Sequence, residues 1–300
     1  MIPFVRDFDF DYGRCDAVSP LIRRVVANNP GPFTFTGTGT YIVGRPAPEA
    51  PVAVIDPGPP DDGHFAALLR AVSGQRVTHV LVTHTHRDHA PLARPFAEAV
   101  GAPVLAARPP ARTDHVPAAL DEEDDATFAP DEVLEGGERI GSEDWTLEAF
   151  ATPGHASNHM AFVLRDENAL FSGDHVMGWS TTVVAPPDGD MTAYMTSLDA
   201  VIARDFATIW PTHGAPIREP RPFLEAYRAH RLEREAQVLA RLAAGDRRIS
   251  GMVPRLYAAV DERLWPAASL SVWAHLIALE RAGRVVAEPA PTLEAAWRPA

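Results

Sequence analysis

Short apolar runs separated by polar, proline- and glycine-rich joints fill the first two thirds of the chain, and beyond about residue 221 they give way to longer helical periodicity. Thr40-Tyr41-Ile42-Val43, Val52-Ala53-Val54-Ile55 and the run at 78–82 predict strands on β-branched and aromatic content, with Phe33-Thr34-Phe35-Thr36 as a further strand hinged by Gly37 and Gly39. Leu21, Ile22, Val25 and Val26 carry a weak helical period that Pro30-Gly31-Pro32 ends. Helices are expected over about 62–73 and from Pro91 to Val100, with a short strand at Pro103-Val104-Leu105-Ala106. Residues 107–131, including Asp121-Glu122-Glu123-Asp124-Asp125, read as a solvated loop. A second set of strands follows at 145–150, 161–165 and 169–172, then a helix over about 190–204 and a strand at Thr208-Ile209-Trp210. Two sheet-forming halves with helices between and after them imply an α/β protein with a four-layer αβ/βα sandwich.

The tail is of a different kind. Helices are expected over about 221–243, 250–259 and 267–282, with a short strand at Arg284-Val285-Val286, so that residues 1–220 and 221–300 divide into a catalytic domain and a small winged-helix-like module.

Composition narrows the setting. With 300 residues, 46% of them hydrophobic, the chain can build a real core. Its single cysteine, Cys15, excludes an internal disulfide framework and fits a reducing compartment. No segment approaches the roughly 18 apolar residues of a membrane span, and the acidic start at Asp7, Asp9 and Asp11 shows no secretory or transit pattern, so a cytoplasmic protein is expected. All 27 basic residues are arginine, and the net charge is −13. Residues 1–217 carry 14 arginines against 30 acids, whereas 218–300 carry 13 against 10. Only the tail could attract a polyanion.

The chemistry begins at His84-Thr85-His86-Arg87-Asp88-His89, directly after the run at 78–82. Three imidazoles and a carboxylate in six residues are the ligand types of zinc and similar ions. Alternation sends His84 and His86 to one side, leaving Asp88 and His89 to face a second ion. Three more polar groups follow strand-like runs in the same way: Thr152-Pro153-Gly154-His155, Phe171-Ser172-Gly173-Asp174 and Pro211-Thr212-His213-Gly214. His64, His79, His115, His230 and His275 read as ordinary polar groups, and His159 and His175 as supporting or surface residues.

As an ordered set, HxHxDH, TPGH, SGD and PTHG resemble the metallo-beta-lactamase-fold hydrolases over residues 30 to 217. The resemblance implies a dinuclear zinc site: His84, His86 and His155 on one ion, Asp88, His89 and His213 on the other, and Asp174 bridging. It implies a metal-bridging hydroxide as nucleophile, with Asp88 and Asp174 as the catalytic carboxylates, and Asp56 supporting the histidine loop without binding metal. His86 in the second loop position favours hydrolysis over the oxygen chemistry of di-iron relatives. A closer resemblance, to the lactamase-beta-like endoribonuclease family (beta-lactamase-like protein two), is carried by Asn29-Pro30-Gly31-Pro32-Phe33-Thr34, Gly37-Thr38-Gly39-Thr40-Tyr41, His159-Met160, the run from His230 to Glu235, and Ala274-His275-Leu276. Gly39 departs from that family's asparagine, and Ala90-Pro91 stand where many members of the wider superfamily have two glycines.

Two substrate classes stay open. An acyl ester or thioester suits the acidic body, while single-stranded RNA is what the closest resemblance implies, with Arg228, Arg231, Arg247 and Arg248 as its guides. The other reading of the tail is a helical cap that forms its own core and seals to the sheet. The loop from Trp179 to Asp190 is expected to line the pocket, and a homodimer is compatible with all of this.

Overall fold

The computed structural model describes residues 1–110, 125 and 127–300. The acidic residues 121–124 and His115 lie outside the described residues. The first sheet contains β1 (Cys15–Ala17), β2 (Ile22–Val26), β3 (Gly39–Val43) and β4 (Pro51–Ile55), then β5 (Arg76–Val82) after helix α1 (Asp62–Ala71). Helix α2 (Ala93–Val100) leads to β6 (Val104–Ala106) and β7 (Glu132–Val133), which complete it. Its seven strands lie in sequence order, antiparallel from β1 to β4 and parallel from β4 to β7. The second sheet is built from β8 (Arg139–Gly141), β9 (Thr146–Ala151), β10 (Met160–Leu164), β11 (Ala169–Gly173) and, after helix α3 (Met191–Ile202), β12 (Thr208–Pro211).

Strand alternation explains why these runs read as continuously apolar. Tyr41 and Val43 on β3, Ile55 on β4, Phe162 on β10 and Trp210 on β12 meet between the sheets. Their neighbours face outward, Ile42 and Val54 against α1 and α2, and Ala161 and Ile209 against α3. Both faces of each sheet are therefore covered, which removes the polar-out alternation of a half-exposed strand.

Two expectations fail here. Leu21 to Val26 is a strand rather than a helix, because β2 is buried along its whole length and its two central arginines are covered. Arg23 donates to Ala71 O and Gln75 Oε1 at 2.9 and 2.7 Å, and Arg24 lies over the Phe8 ring at 4.5 Å. Two arginines between apolar pairs imitate a helical stripe. Phe33 to Thr36 is a tight turn rather than a strand. Gly31 and Phe35 exchange backbone hydrogen bonds at 3.1 and 2.9 Å, Phe35 has φ 56°, and its ring stacks on Trp179 at 4.7 Å.

The tail holds α4 (Pro220–Ala243), α5 (Ile249–Leu256), α6 (Trp265–Arg281), β13 (Val285–Glu288) and β14 (Ala296–Pro299). The last strand was not foreseen. It pairs antiparallel with β13 and carries the fully buried Trp297 into a core shared with Val238, Met252 and Leu276. The other end of α4 packs Phe223, Leu224 and Tyr227 onto the outer face of the second sheet, beside α3. One continuous helix thus ties the tail to the sandwich. No helix among the described residues is long and apolar enough to cross a membrane.

Candidate metal centre

The loops that follow β4, β5, β11 and β12, together with the β9–β10 connection, converge at one end of the two sheets. Backbone hydrogen bonds join the sheets there: Met160 N donates to Thr83 O at 2.7 Å and Gly39 N to Thr212 O at 2.8 Å. The second contact is close enough that a Cβ on residue 39 would sit 3.0 Å from Thr212 O, so a larger residue there would push the strands slightly apart. Gly173 is under a stricter demand, with φ 53° and a Cβ position only 2.5 Å from His159 Nε2.

The structure brings all seven sequence-predicted donors together, in three overlapping groups: His84, His86 and His155; His84, His89 and Asp174; and Asp88, His89 and His213. His86 Nδ1 lies 2.9 Å from His84 Nε2 and 3.2 Å from His155 Nε2. His213 Nε2 is 3.1 Å from Asp88 Oδ2 and 3.4 Å from Asp174 Oδ2. His89 Nε2 is 3.3 Å from Asp88 Oδ2 and 3.6 Å from Asp174 Oδ1. Asp174 stands between the groups, with Oδ2 also 4.0 Å from His155 Nε2.

The outer nitrogens settle which atoms point inward. Thr83 Oγ1 donates to Asp56 Oδ2 at 2.8 Å, so it accepts from His84 Nδ1–H at 3.0 Å and leaves His84 Nε2 as a lone pair. His155 Nδ1–H donates to Val183 O, His213 Nδ1–H to Gly37 O and His89 Nδ1–H to Asp56 Oδ2, at 2.7, 3.2 and 2.9 Å. His84 and His155 thereby aim an Nε2 lone pair at the centre, and His89 and His213 would do so once their Nε2 proton is displaced, the arrangement a metal-binding histidine requires. His89 Nε2 and Asp174 Oδ1 are buried without an aligned hydrogen-bond partner. Lone pairs gathered this closely repel unless a cation lies among them, so the donor set fits a divalent metal.

Charge divides the donors in two. Burial lowers the pKa of His86 and of His155 to about 4, and that of His84 falls well below the ordinary value through burial and the neighbouring rings of His89, His86 and His155. Burial acts the same way on His213, but Asp174 and Asp88 outweigh it and raise its pKa to about 10; His89 is likewise raised. Burial opposes ionisation of Asp88 and Asp174, and the two imidazoles still hold both carboxyls well below the usual range. The chain alone thus keeps protons on His89 and His213, and a metal there would have to displace them.

Supporting contacts surround the donors. Asp56, buried and left-handed at φ 50°, accepts from Thr83 N at 2.8 Å and from Thr212 Oγ1 at 3.3 Å, besides Thr83 Oγ1 and His89. It anchors the histidine loop as expected and belongs to none of the donor groups. His159 Nε2 accepts from Asp174 N at 3.1 Å while Nδ1–H donates to Thr152 Oγ1 at 2.8 Å, which makes it a support for Asp174. Asn29 grips Thr38, whose hydroxyl lies 3.4 Å from Asp88 Oδ2.

Residues 35–213 match the model of the metallo-beta-lactamase superfamily, and residues 249–297 match that of the beta-lactamase associated winged helix domain. The chain belongs to the metallo-beta-lactamase superfamily. Among its relatives are the lactamase-like protein adaB of Aspergillus niger, 31% identical over 80% of this chain and 73% of the relative, and a beta-lactamase-like protein 2 homolog of Caenorhabditis elegans, 28% identical over 75% and 72%. An atrochrysone carboxyl ACP thioesterase of Aspergillus chevalieri is 32% identical over 78% of this chain and 70% of the relative. A beta-lactamase domain protein of Burkholderia ambifaria shares the fold across both modules, with a TM-score of 0.77, 20% identity, and coverage of 100% of this chain and 97% of that one.

This metallo-beta-lactamase chain is a hydrolase, and a pocket of about 230 Å³ opens from His155 and Asp174 towards the tail. Of the loop from Trp179 to Asp190, only Trp179 to Val183 line it, while Pro186, Pro187, Gly189 and Asp190 line a separate cavity against α6. The opposite wall was not foreseen, since His230, Arg231, Arg234 and Tyr257 reach it from α4 and the end of α5. His230 and His275 had read as ordinary polar groups, yet His230 Nδ1 and both ring nitrogens of His275 are buried without partners. The signal available in the sequence was the close spacing of His230, Arg231 and Arg234, which one helical turn gathers on neighbouring faces.

Proposed function

We propose that this chain is a dinuclear zinc hydrolase of acyl thioesters or related acyl esters, with residues 1–220 as its catalytic unit and 221–300 as the unit that completes the pocket. The observation that carries the reading is the convergence of histidine and carboxylate donors at one end of a pocket. His84, His86 and His155 would hold one ion, Asp88, His89 and His213 the other, with Asp174 shared. Zinc bound there supplies a water of lowered pKa and polarises the bond under attack.

The chain's own residues do the rest. Asp56 and Thr83 fix the rings of His84 and His89, and His159 fixes the backbone of Asp174. Asp88, about 20% exposed, is the carboxylate through which a proton leaves for solvent, steadied by the Thr38 hydroxyl. Phe33 and the loop at 179–183 shield the acyl group from water along the pocket.

Several relatives carry the name of an acyl-carrier thioesterase, which supports the thioester reading. The RNA reading has less support. Of its four proposed guides, Arg228 is ion-paired to Asp199 at 2.5 Å, Arg231 is buried, and Arg247 and Arg248 donate to Leu242 O and Glu294 O. The test assays zinc-loaded protein and His84→Ala on acyl thioesters and on labelled single-stranded RNA. Thioester turnover that is lost in the variant supports the proposal, and cleavage of RNA alone overturns it. Elemental analysis after metal resupply should find about two zinc ions per chain, and fewer than about one would overturn the metal assignment.

A further inference from the structure

We infer that the junction of α4, α5 and α6 with the 179–183 loop is an oxyanion subsite, in which Arg231 and Arg234 bind a carboxylate or phosphate group of the substrate. It rests on the thioesterase reading of the same pocket and adds what that substrate must carry.

The argument starts from Arg231. Its side chain is buried, at 4% exposure, between the rings of Tyr194 and Tyr227, 4.9 and 5.8 Å from the guanidinium carbon. One N–H donates to Thr182 O, Nε has no partner, and no carboxylate among the described residues forms an ion pair with it. Arginine stays charged at any ordinary pH, and a buried charge without a counter-ion is costly. The surroundings add to that cost. Arg234 stands one turn further along α4, 4.1 Å over the Tyr257 ring, with Nη1 donating to Leu256 O at 2.7 Å and Nε unpartnered. His275 and His230 lie close enough to both guanidiniums that burial, then the arginines, lower their pKa values to about 3 and about 4. Both rings are therefore neutral and offer N–H groups to an acceptor.

The nearby acids do not balance this wall. Glu233, which acts on His230, is exposed and accepts from Gln237. Asp174, on the far wall, is engaged by His213 and His89. Elsewhere in the tail arginines are paired in the ordinary way: Arg241 and Arg255 share Asp246, and Arg284 meets Glu235. Two cations and the His230 ring gathered against one cavity, with the unpartnered His275 ring close to both arginines, in a chain of net charge −13, form a site whose missing component is an anion. The cavity, at about 230 Å³, has room for a carboxylate-ended acyl group or a single phosphate.

The experiment uses the full-length, zinc-loaded chain and four thioesters: valeryl and glutaryl groups, each on N-acetylcysteamine and on phosphopantetheine. Arg231→Gln and Arg234→Gln should lower kcat/KM about 10- to 100-fold, mostly through KM, on substrates that carry the recognised anion, and less than about threefold on valeryl-N-acetylcysteamine. Loss confined to the glutaryl pair assigns the acyl end, and loss confined to the phosphopantetheine pair assigns the carrier arm. Equal loss on all four substrates would mean that the arginines only hold the fold, and overturns the proposal. Arg231→Lys, which keeps the charge, and thermal melting of each variant guard against misfolding of the buried site. Should no thioester be hydrolysed, the thioesterase reading fails by itself, and calorimetric titration of glutarate and of phosphopantetheine decides the subsite. Binding lost in both glutamine variants supports it, and binding absent from the wild type or unchanged in the variants overturns it.

Discussion

The two ends of the pocket bury the same residue type for opposite purposes. At the sheet end, imidazoles and carboxylates point lone pairs at a common centre, and their outer N–H groups are spent on Thr83, Val183, Gly37 and Asp56. At the tail end, the Nε groups of Arg231 and Arg234, His230 Nδ1 and both ring nitrogens of His275 are left without partners, and no carboxylate among the described residues pairs with either arginine. The donors of the first end suit a cation and those of the second an anion. Histidine content alone cannot tell these apart; the distinction lies in which ring atoms are already hydrogen-bonded and whether a carboxylate is close by.

The strongest way to break this contrast is at the sheet end. His84→Ala removes a lone pair shared by two of the donor groups, and thioester turnover should fall by about three orders of magnitude, with zinc content reduced on elemental analysis. At the tail end, Trp297→Ala should cost roughly 3–5 kcal/mol in denaturant unfolding, because it opens a cavity in the core that holds β13, β14 and α6 in place.

The sign of the tail's charge can be sharpened by pH. His275 has its pKa lowered to about 3 by burial and by Arg231, Arg234 and His230, whereas the unfolded chain binds a proton near 6.5. The unfolded state therefore holds the extra proton across that window. The stability due to a neutral His275 is complete above pH 6.5 and is lost as pH falls, by about 1.4 kcal/mol per pH unit. Unfolding should show lower stability at pH 5.5 than at pH 7, and His275→Leu should reduce that drop by about 1 kcal/mol. Comparable in size is Asp56→Asn, which keeps the shape but weakens the support of His89 and Thr83. Zinc affinity is expected to drop about 10- to 100-fold by competition with a chromophoric chelator, and an unchanged affinity would show that the outer contacts do not orient the rings.

The sandwich was legible because strands covered on both faces leave uninterrupted apolar runs, and its helices because their punctuation is local. β2 was misread because Arg23 and Arg24 are made compatible with burial only by Ala71, Gln75 and Phe8, which come from elsewhere in the chain. β14 went unseen because it is short and exists as a strand only against β13.

The sequence by itself picked out the candidate donors, from His84 to His213, since ligand chemistry depends on residue type and on placement after strand-like runs. It also set the order of sheets and helices, through hydrophobic period. Only the tertiary structure decided which nitrogen of each ring faces inward, because that depends on hydrogen bonds between loops far apart in the chain. It also decided that Arg231 and Arg234 face the pocket of the catalytic sheets, because α4 runs unbroken from one module to the other and carries them there.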